Sequence, residues 1–220
     1  MDNRQNDILA NDKIGKLLFD LSMPAMVGML VMALYNMVDT IFVGHGIGKE
    51  AIAGVSIVFP LQMIVFALAQ LVGIGGSSII SRALGAGDLE KAKTIFGNVI
   101  TLSFVMSILI TVPCLIYIDK ILILFGATST IYQHSKDYLS VILIGTVFSL
   151  FSIVTNNLLR SEGRAKIAMT TMIASSLINI ILDPIFIFVF KMGTKGAAIA
   201  TVLAQAITLL WVISYYSSGK

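Results

Sequence analysis

Two aspartates stand inside long apolar stretches of the sequence, and their carboxylates are its best candidates for chemistry. Asp39 lies in YNMVDTIFVG (35–44), and Asp183 lies in LINIILDPIFIF (177–188). A charged carboxylate at the centre of a membrane helix costs about 2.5 to 3.5 kcal/mol on insertion scales. No Lys or Arg stands within the six apolar runs described below, so two unpaired carboxylates predict a bound cation or a bound proton. Alternatively, they line water or cap a backbone group.

The neighbours of Asp183 favour the cation. Asn179 stands four residues earlier, so on a helix its amide oxygen lies on the same face as the carboxylate. Pro184 follows directly, and its ring is incompatible with a regular hydrogen bond to the carbonyl of Ile180. A carboxylate, an amide oxygen and a freed carbonyl are hard oxygen donors. Irregular helices at the membrane midplane supply such ligands to alkali cations in transporters.

The residues before Asp39 form a stripe along one helix face. Asn36 and Tyr35 stand three and four residues before it, and Met29 and Met32 continue the stripe. A Met-rich surface adapts to ligands of varied shape, so these four residues are candidates for a substrate cavity. Ordinary helix packing is the alternative for the methionines.

The elements that must position these residues are membrane helices. The chain is 57% hydrophobic and 12% charged, with a mean hydropathy of +0.93, whereas soluble domains are about 25% charged. Six apolar runs are each long enough to cross a bilayer. They are 21–43, 54–80, 95–118, 138–159, 167–190 and 196–213. The predicted fold is an all-α integral membrane protein: a tail at 1–20, a six-helix lobe at 21–213 and the start of a linker at 214–220.

The basic residues between the runs predict the orientation. Ten of the 15 Lys and Arg residues fall on the side of the termini: Arg4, Lys13, Lys16, Arg82, Lys91, Lys93, Arg160, Arg164, Lys166 and Lys220. The other five are Lys49, Lys120, Lys136, Lys191 and Lys195. By the positive-inside rule, both termini are expected in the cytoplasm of a multi-pass cell-membrane protein. The scatter over both sides argues against nucleic-acid binding.

Other chemistries find little support. Cys114 is the single cysteine, and His45 and His134 fall in outer loops without a metal-ligand pattern. GHGIGK at 44–49 lacks the phosphate-binding loop's spacing, because Glu50 stands where Ser or Thr is required. We therefore expect a protein that is not an enzyme and has no cofactor.

Several ordered motifs resemble the multidrug and toxic compound extrusion (MATE) transporters. They are YNMVDTIFVG, GKEAIAGVS, GIGGSSIISRALGAGD, NNLLRSEGRAKIAM, INIILDPIFIF and GAAIATVLAQ. The resemblance implies export of drugs and other amphiphilic organic cations by alternating access, driven by sodium or protons. It also implies a cation site in the N-terminal lobe. The matching positions are Asp39, Asn179, Asp183 and Thr201, any of which could ligate sodium, with Asn156 nearby.

The resemblance also bears on partners. Transporters of that family have twelve helices in two lobes, so we expect this chain to be the N-terminal lobe, as a fragment or as a half-transporter that dimerises. Its partners would be membrane lipid, a drug-like small molecule and a second lobe. A related lipid-linked oligosaccharide flippase is the alternative, but its cavity would need basic residues, and none is expected within the spans. A membrane enzyme and an ion channel remain alternatives from other classes.

Overall fold

The computed structural model describes residues 14–217, and the elements in that range are helices. In chain order they are α1 (Ile14–Gly46), α2 (Lys49–Gly85), α3 (Leu89–Ile116), α4 (Ile118–Leu124), α5 (Ser129–Ser161), α6 (Ala165–Pro184), a π-helical segment (Ile185–Val189) and α7 (Gly193–Ser217). Six stretches of the described chain are long and apolar enough to cross a membrane, since α6 and the π-helical segment form one span together. The predicted all-helical membrane fold is confirmed.

The helices extend beyond the apolar runs. A helix of 33 residues, the length of α1 and of α5, is about 50 Å long, whereas the hydrocarbon core of a bilayer is about 30 Å thick. Residues 14–20, placed in the tail by the sequence, form the first turns of α1, and residues 214–217 form the last turn of α7. The rest of the predicted tail and linker, 1–13 and 218–220, lies outside the described residues.

Helices α2 and α5 form the scaffold of the lobe. They pack against each other more extensively than any other pair, and both supply residues to two separate buried clusters. The first cluster includes Val58 and Leu139, and the second includes Val72 and Val154. Close approach at Gly76, where a Cβ would overlap Val99, lets α3 pack against α2.

Helix α1 buries few of its apolar side chains. It packs mainly against α6, and among the described residues it adds a single side chain, Val43, to the buried hydrophobic core. Many of its large apolar side chains are exposed, including Met26 and Met37, which are 64% and 63% exposed.

Pro184 changes the helix type directly after Asp183. Proline has no N–H to donate, and beyond it the chain continues as the π-helical segment, in which the N–H of Phe190 donates to the carbonyl of Ile185 at 2.9 Å. Two positive φ angles, 53° at Lys191 and 61° at Gly193, then turn the chain into α7. Asp183 therefore sits where the regular helix ends.

Candidate cation site and adjoining cavity

The two membrane aspartates meet inside the lobe. The carboxyl groups of Asp39, on α1, and Asp183, at the end of α6, lie within hydrogen-bonding distance of each other. Asp183 is fully buried, and Asp39 is 9% exposed. Oδ1 of each is buried without a hydrogen-bond partner. Two ionised carboxylates cannot share such a site unless a proton or a cation neutralises part of their charge.

Asn179 and Thr201 complete one side of this pair. The amide nitrogen of Asn179 donates to Oδ2 of Asp183 at 2.8 Å, and its amide oxygen lies 3.1 Å from Oγ1 of Thr201. The amide oxygen also accepts from the backbone N–H of Thr201 at 3.2 Å. This arrangement satisfies both ends of the amide and fits an ionised Asp183, because a carboxylate accepts hydrogen bonds.

Four of the five residues predicted for the cation site thus form one cluster. They are Asp39, Asn179, Asp183 and Thr201. Carboxylate, amide and hydroxyl oxygens are hard donors that fit an alkali cation, and the unpartnered Oδ1 atoms are the ones free to bind it. No group of three or more His, Cys, Asp or Glu side chains stands together in residues 14–217.

Asn156 is placed differently from the other four. It lies on α5, its Nδ2 donates to Oγ1 of Thr171 at 3.0 Å, and its buried Oδ1 has no partner. It lines the same cavity as Asp39 and Thr201, without a hydrogen bond to either. Its position suits contact with a molecule in the cavity better than contact with an ion between the aspartates.

A cavity of about 830 Å³ adjoins the acidic pair. The four predicted cavity residues of α1, Met29, Met32, Tyr35 and Asn36, all line it. Asp39 lines it as well, whereas Asp183 and Asn179 lie behind the lining. Asp39 is therefore the one carboxylate that belongs both to the acidic pair and to the cavity wall among the described residues.

Uncharged polar residues on α2 and α5, which the sequence did not single out, also line the cavity. Tyr138 is 5% exposed and lies close to the side chains of Gln62 and Asp39. Asn157 donates to Oε1 of Gln70 at 2.7 Å. A count of uncharged polar residues in the apolar runs could have found these four, because amides and hydroxyls inside a membrane span are expected to find partners.

One expectation from the sequence is wrong. No basic residue was expected within the spans, yet Arg160 lies in the last turn of α5 and lines the cavity. The apolar run ends at 159, but the helix continues to Ser161, so Arg160 belongs to a helix that lines the cavity and not to a loop. The absence of a basic residue therefore no longer argues against a flippase.

The comparison with known families follows from these motifs and their geometry. The family model described as MatE matches residues 24–185, more than half of the chain. This chain belongs to the MatE family. The resemblance stated from the sequence motifs is confirmed, and the match contains Asp39, Asn179 and Asp183.

Relatives of this MatE chain are known as sequences and as structures. It is 32% identical over 217 residues to a multidrug export protein MepA of Staphylococcus haemolyticus, a match that covers 99% of this chain and 48% of that one. It is 39% identical, with a TM-score of 0.87, to an outward-facing structure of a multidrug resistance MATE family transporter, and the match covers 91% of this chain and 44% of that one.

A third relative shows the same half-length match. It is a MOP superfamily transporter from Pyrococcus furiosus, described as having a binding pocket of reverse polarity, and it is 37% identical with a TM-score of 0.90. The match covers 95% of this chain and 46% of that one. The chain therefore spans about half the length of the relatives that it matches.

Proposed function

We propose that this chain is the N-terminal lobe of a cation-coupled antiporter that exports drugs and other amphiphilic organic cations by alternating access. The observation that carries the proposal is the double position of Asp39, which pairs with Asp183 and also lines the cavity. Sodium or a proton is the coupling ion. Membership of the MatE family and the similarity to the multidrug export protein MepA support the same proposal.

Competition for Asp39 supplies the coupling. A sodium ion or proton between Asp39 and Asp183 neutralises the charge that would otherwise attract an organic cation in the cavity. Conversely, an organic cation near Asp39 weakens the hold of the pair on the coupling ion. Because the two cations stabilise alternative states of one carboxylate, the entry of one favours the release of the other. This is the exchange that antiport requires.

Helix α1 is the element that would convert this exchange into movement. It carries Asp39 and the cavity residues Met29 and Met32, and it contributes little to the buried core. Charge neutralisation at Asp39 changes its attraction to α6, with which α1 packs most extensively. The flexible methionines let the wall fit substrates of different shapes.

A second lobe would complete the cavity, since the relatives are about twice as long as this chain. That lobe would be the following part of a longer protein or a second copy in a half-transporter. We place the protein in the cell membrane with both termini in the cytoplasm, on the basis of the ten-to-five division of basic residues.

A lipid-linked oligosaccharide flippase fits less well. A pyrophosphate head group would call for several basic residues, whereas Arg160 is the one Lys or Arg in the cavity lining of the described chain. The relatives compared above include a multidrug export protein and a multidrug resistance MATE family transporter, so the antiporter is preferred.

Transport in reconstituted vesicles tests the proposal. The chain is assembled with a second lobe or as a crosslinked dimer and is reconstituted into vesicles. The vesicles are loaded with a fluorescent organic cation, and sodium and proton gradients are imposed separately. We expect one gradient to accelerate efflux and its collapse to stop it. Efflux indifferent to both gradients, or an ion current without substrate exchange as in a channel, would overturn the proposal.

The chain by itself gives a second result. It should insert into the membrane without exporting the dye, because half of the cavity wall is missing. Efflux by a demonstrated monomer would contradict the two-lobe proposal, and efflux by a dimer would favour a half-transporter over a fragment.

A further inference from the structure

The cavity has charges of opposite sign in its wall. Of the described residues that line it, Asp39 is acidic and Arg160 is basic, and the others are apolar or uncharged polar residues such as Met29, Gln62 and Asn157. An export cavity built only for organic cations would gain nothing from a guanidinium, which repels them. The presence of Arg160 therefore calls for a ligand group that it attracts.

The guanidinium of Arg160 lacks an acidic partner. Its Nη2 lies 3.3 Å from Sδ of Met172, a weak acceptor, and no carboxylate pairs with it within residues 14–217. Glu162 is only two residues away, but its carboxylate accepts from Tyr216 at 3.3 Å and lies 3.8 Å from Nε of Arg164. Most of the five N–H donors of Arg160 thus have no protein acceptor, although the side chain is partly buried.

Arg160, on α5, lies near a part of α1 that is far from Asp39. Met172, which contacts Arg160, packs on Gly28 of α1, where a Cβ would lie 2.9 Å from its Sδ. Gly28 precedes Asp39 by eleven positions, which corresponds to roughly 16 Å along a helix. A ligand of drug size can therefore place one group near Asp39 and another near Arg160, or bind at Arg160 while the coupling ion remains at Asp39.

We propose that Arg160 is an anion-binding residue of the cavity, so that the exported substrates include amphiphiles with a carboxylate or a similar oxyanion. The planar guanidinium pairs with both oxygens of such a group, which an ammonium cannot do with the same geometry. The inference rests on the proposed export function and names the residue that would recognise an acidic group of the substrate. It also assigns a specificity role to a residue outside the predicted site.

Binding of two matched dyes tests the inference. The chain, assembled with a second lobe or as a crosslinked dimer, is placed in phosphatidylcholine nanodiscs. It is titrated with a rhodamine that has a free carboxylate and with the methyl ester of the same dye, and binding is followed by fluorescence anisotropy. We expect Arg160→Gln to weaken binding of the carboxylate dye about tenfold or more and to leave the ester little changed. Arg160→Lys should fall between, because it keeps the charge and loses the planar fork.

A matched control is Arg82→Gln, which removes the same charge from the last turn of α2, outside the cavity. Arg82 bonds Ser78 of its own helix, so its loss should affect neither dye. Equal loss of both dyes in Arg160→Gln, or no loss of either, would overturn the inference while leaving the export cavity intact.

Two further outcomes separate the inference from its alternatives. If the unsubstituted protein binds neither dye, the cavity is not a site for such substrates, and the proposed function fails together with the inference. If added phosphatidylglycerol displaces the carboxylate dye only when Arg160 is present, a lipid phosphate occupies the residue, and the substrate assignment is wrong.

Discussion

The carboxyl groups of Asp39 and Asp183 are held within hydrogen-bonding distance of each other by two different helices, α1 and α6. One of the two, Asp39, also lines the large cavity of the lobe, while Asp183 is fully buried behind it. This arrangement connects an ion site to a substrate site through a single side chain. The predictions below test that connection and the framework that supports it.

The two amides of the site should behave differently. Asn179→Ala removes the donor 2.8 Å from Asp183, and we expect cation binding to weaken about tenfold or more, since a hydrogen bond to a charged group contributes about 1.5 to 3 kcal/mol. Asn156→Ala is the matched control, because that amide bonds Thr171 instead. It should reduce dye binding and leave cation binding nearly unchanged. Equal effects on cation binding would place Asn156 in the ion site after all.

The packing of α2 against α5 predicts a difference between two neighbouring glycines. A Cβ on Gly73 would lie 2.7 Å from Nδ2 of Asn157, so Gly73→Ala should displace the Asn157–Gln70 hydrogen bond and cost about 1 to 3 kcal/mol. Gly75 has nothing within 4 Å, and Gly75→Ala should leave stability equal or raise it by up to about 1 kcal/mol. Unfolding of both variants in detergent measures the difference, and equal stability would contradict the packing.

A largely buried carboxylate, that of Glu162 directly after α5, predicts a pH dependence. Burial raises the pKa of Glu162 above its ordinary value, so the folded state holds this proton more tightly than the unfolded chain. Its stabilising effect is complete below the ordinary pKa and is lost as pH rises through the raised one. In Glu162→Gln, which keeps an acceptor for Tyr216, that part of the decline should disappear.

Thermal unfolding in detergent from about pH 4 to pH 8 gives the comparison, because the difference between the two proteins isolates Glu162 from other titrating groups. Identical pH profiles would show that Glu162 titrates as an ordinary exposed glutamate.

The orientation of the lobe is tested by reporters. Fusions after Lys220 and within the loop at Glu162 should both report the cytoplasm, because the basic residues favour that side ten to five. A fusion in the loop at Gly126, between α4 and α5, should report the opposite side. A cytoplasmic result at Gly126 would be incompatible with the six-span arrangement.

The sequence predicted the acidic cluster well because charges inside apolar runs are costly and must be compensated. Asp39 and Asp183 could be found in this way, and Asn179 could be found by its spacing of four residues from Asp183. Thr201 was added by family resemblance alone. Arg160 was missed because hydropathy marks where apolar residues stop, whereas α5 continues beyond that point to Ser161. Polar partners such as Gln62 are decided by side-chain geometry between distant helices, which spacing within one helix does not contain.

The most direct test of the central claim is the number of exchangeable cations that the purified protein holds at neutral pH. Sodium is counted with a radioactive tracer, and protons are counted with an indicator in weak buffer. We expect Asp39→Asn and Asp183→Asn each to abolish the exchangeable cation while leaving membrane insertion intact, and the double variant to be no worse, because the two carboxylates act as one unit. If either single variant keeps the full stoichiometry, or if the double variant loses twice as much as each single one, the aspartates are not one cation site.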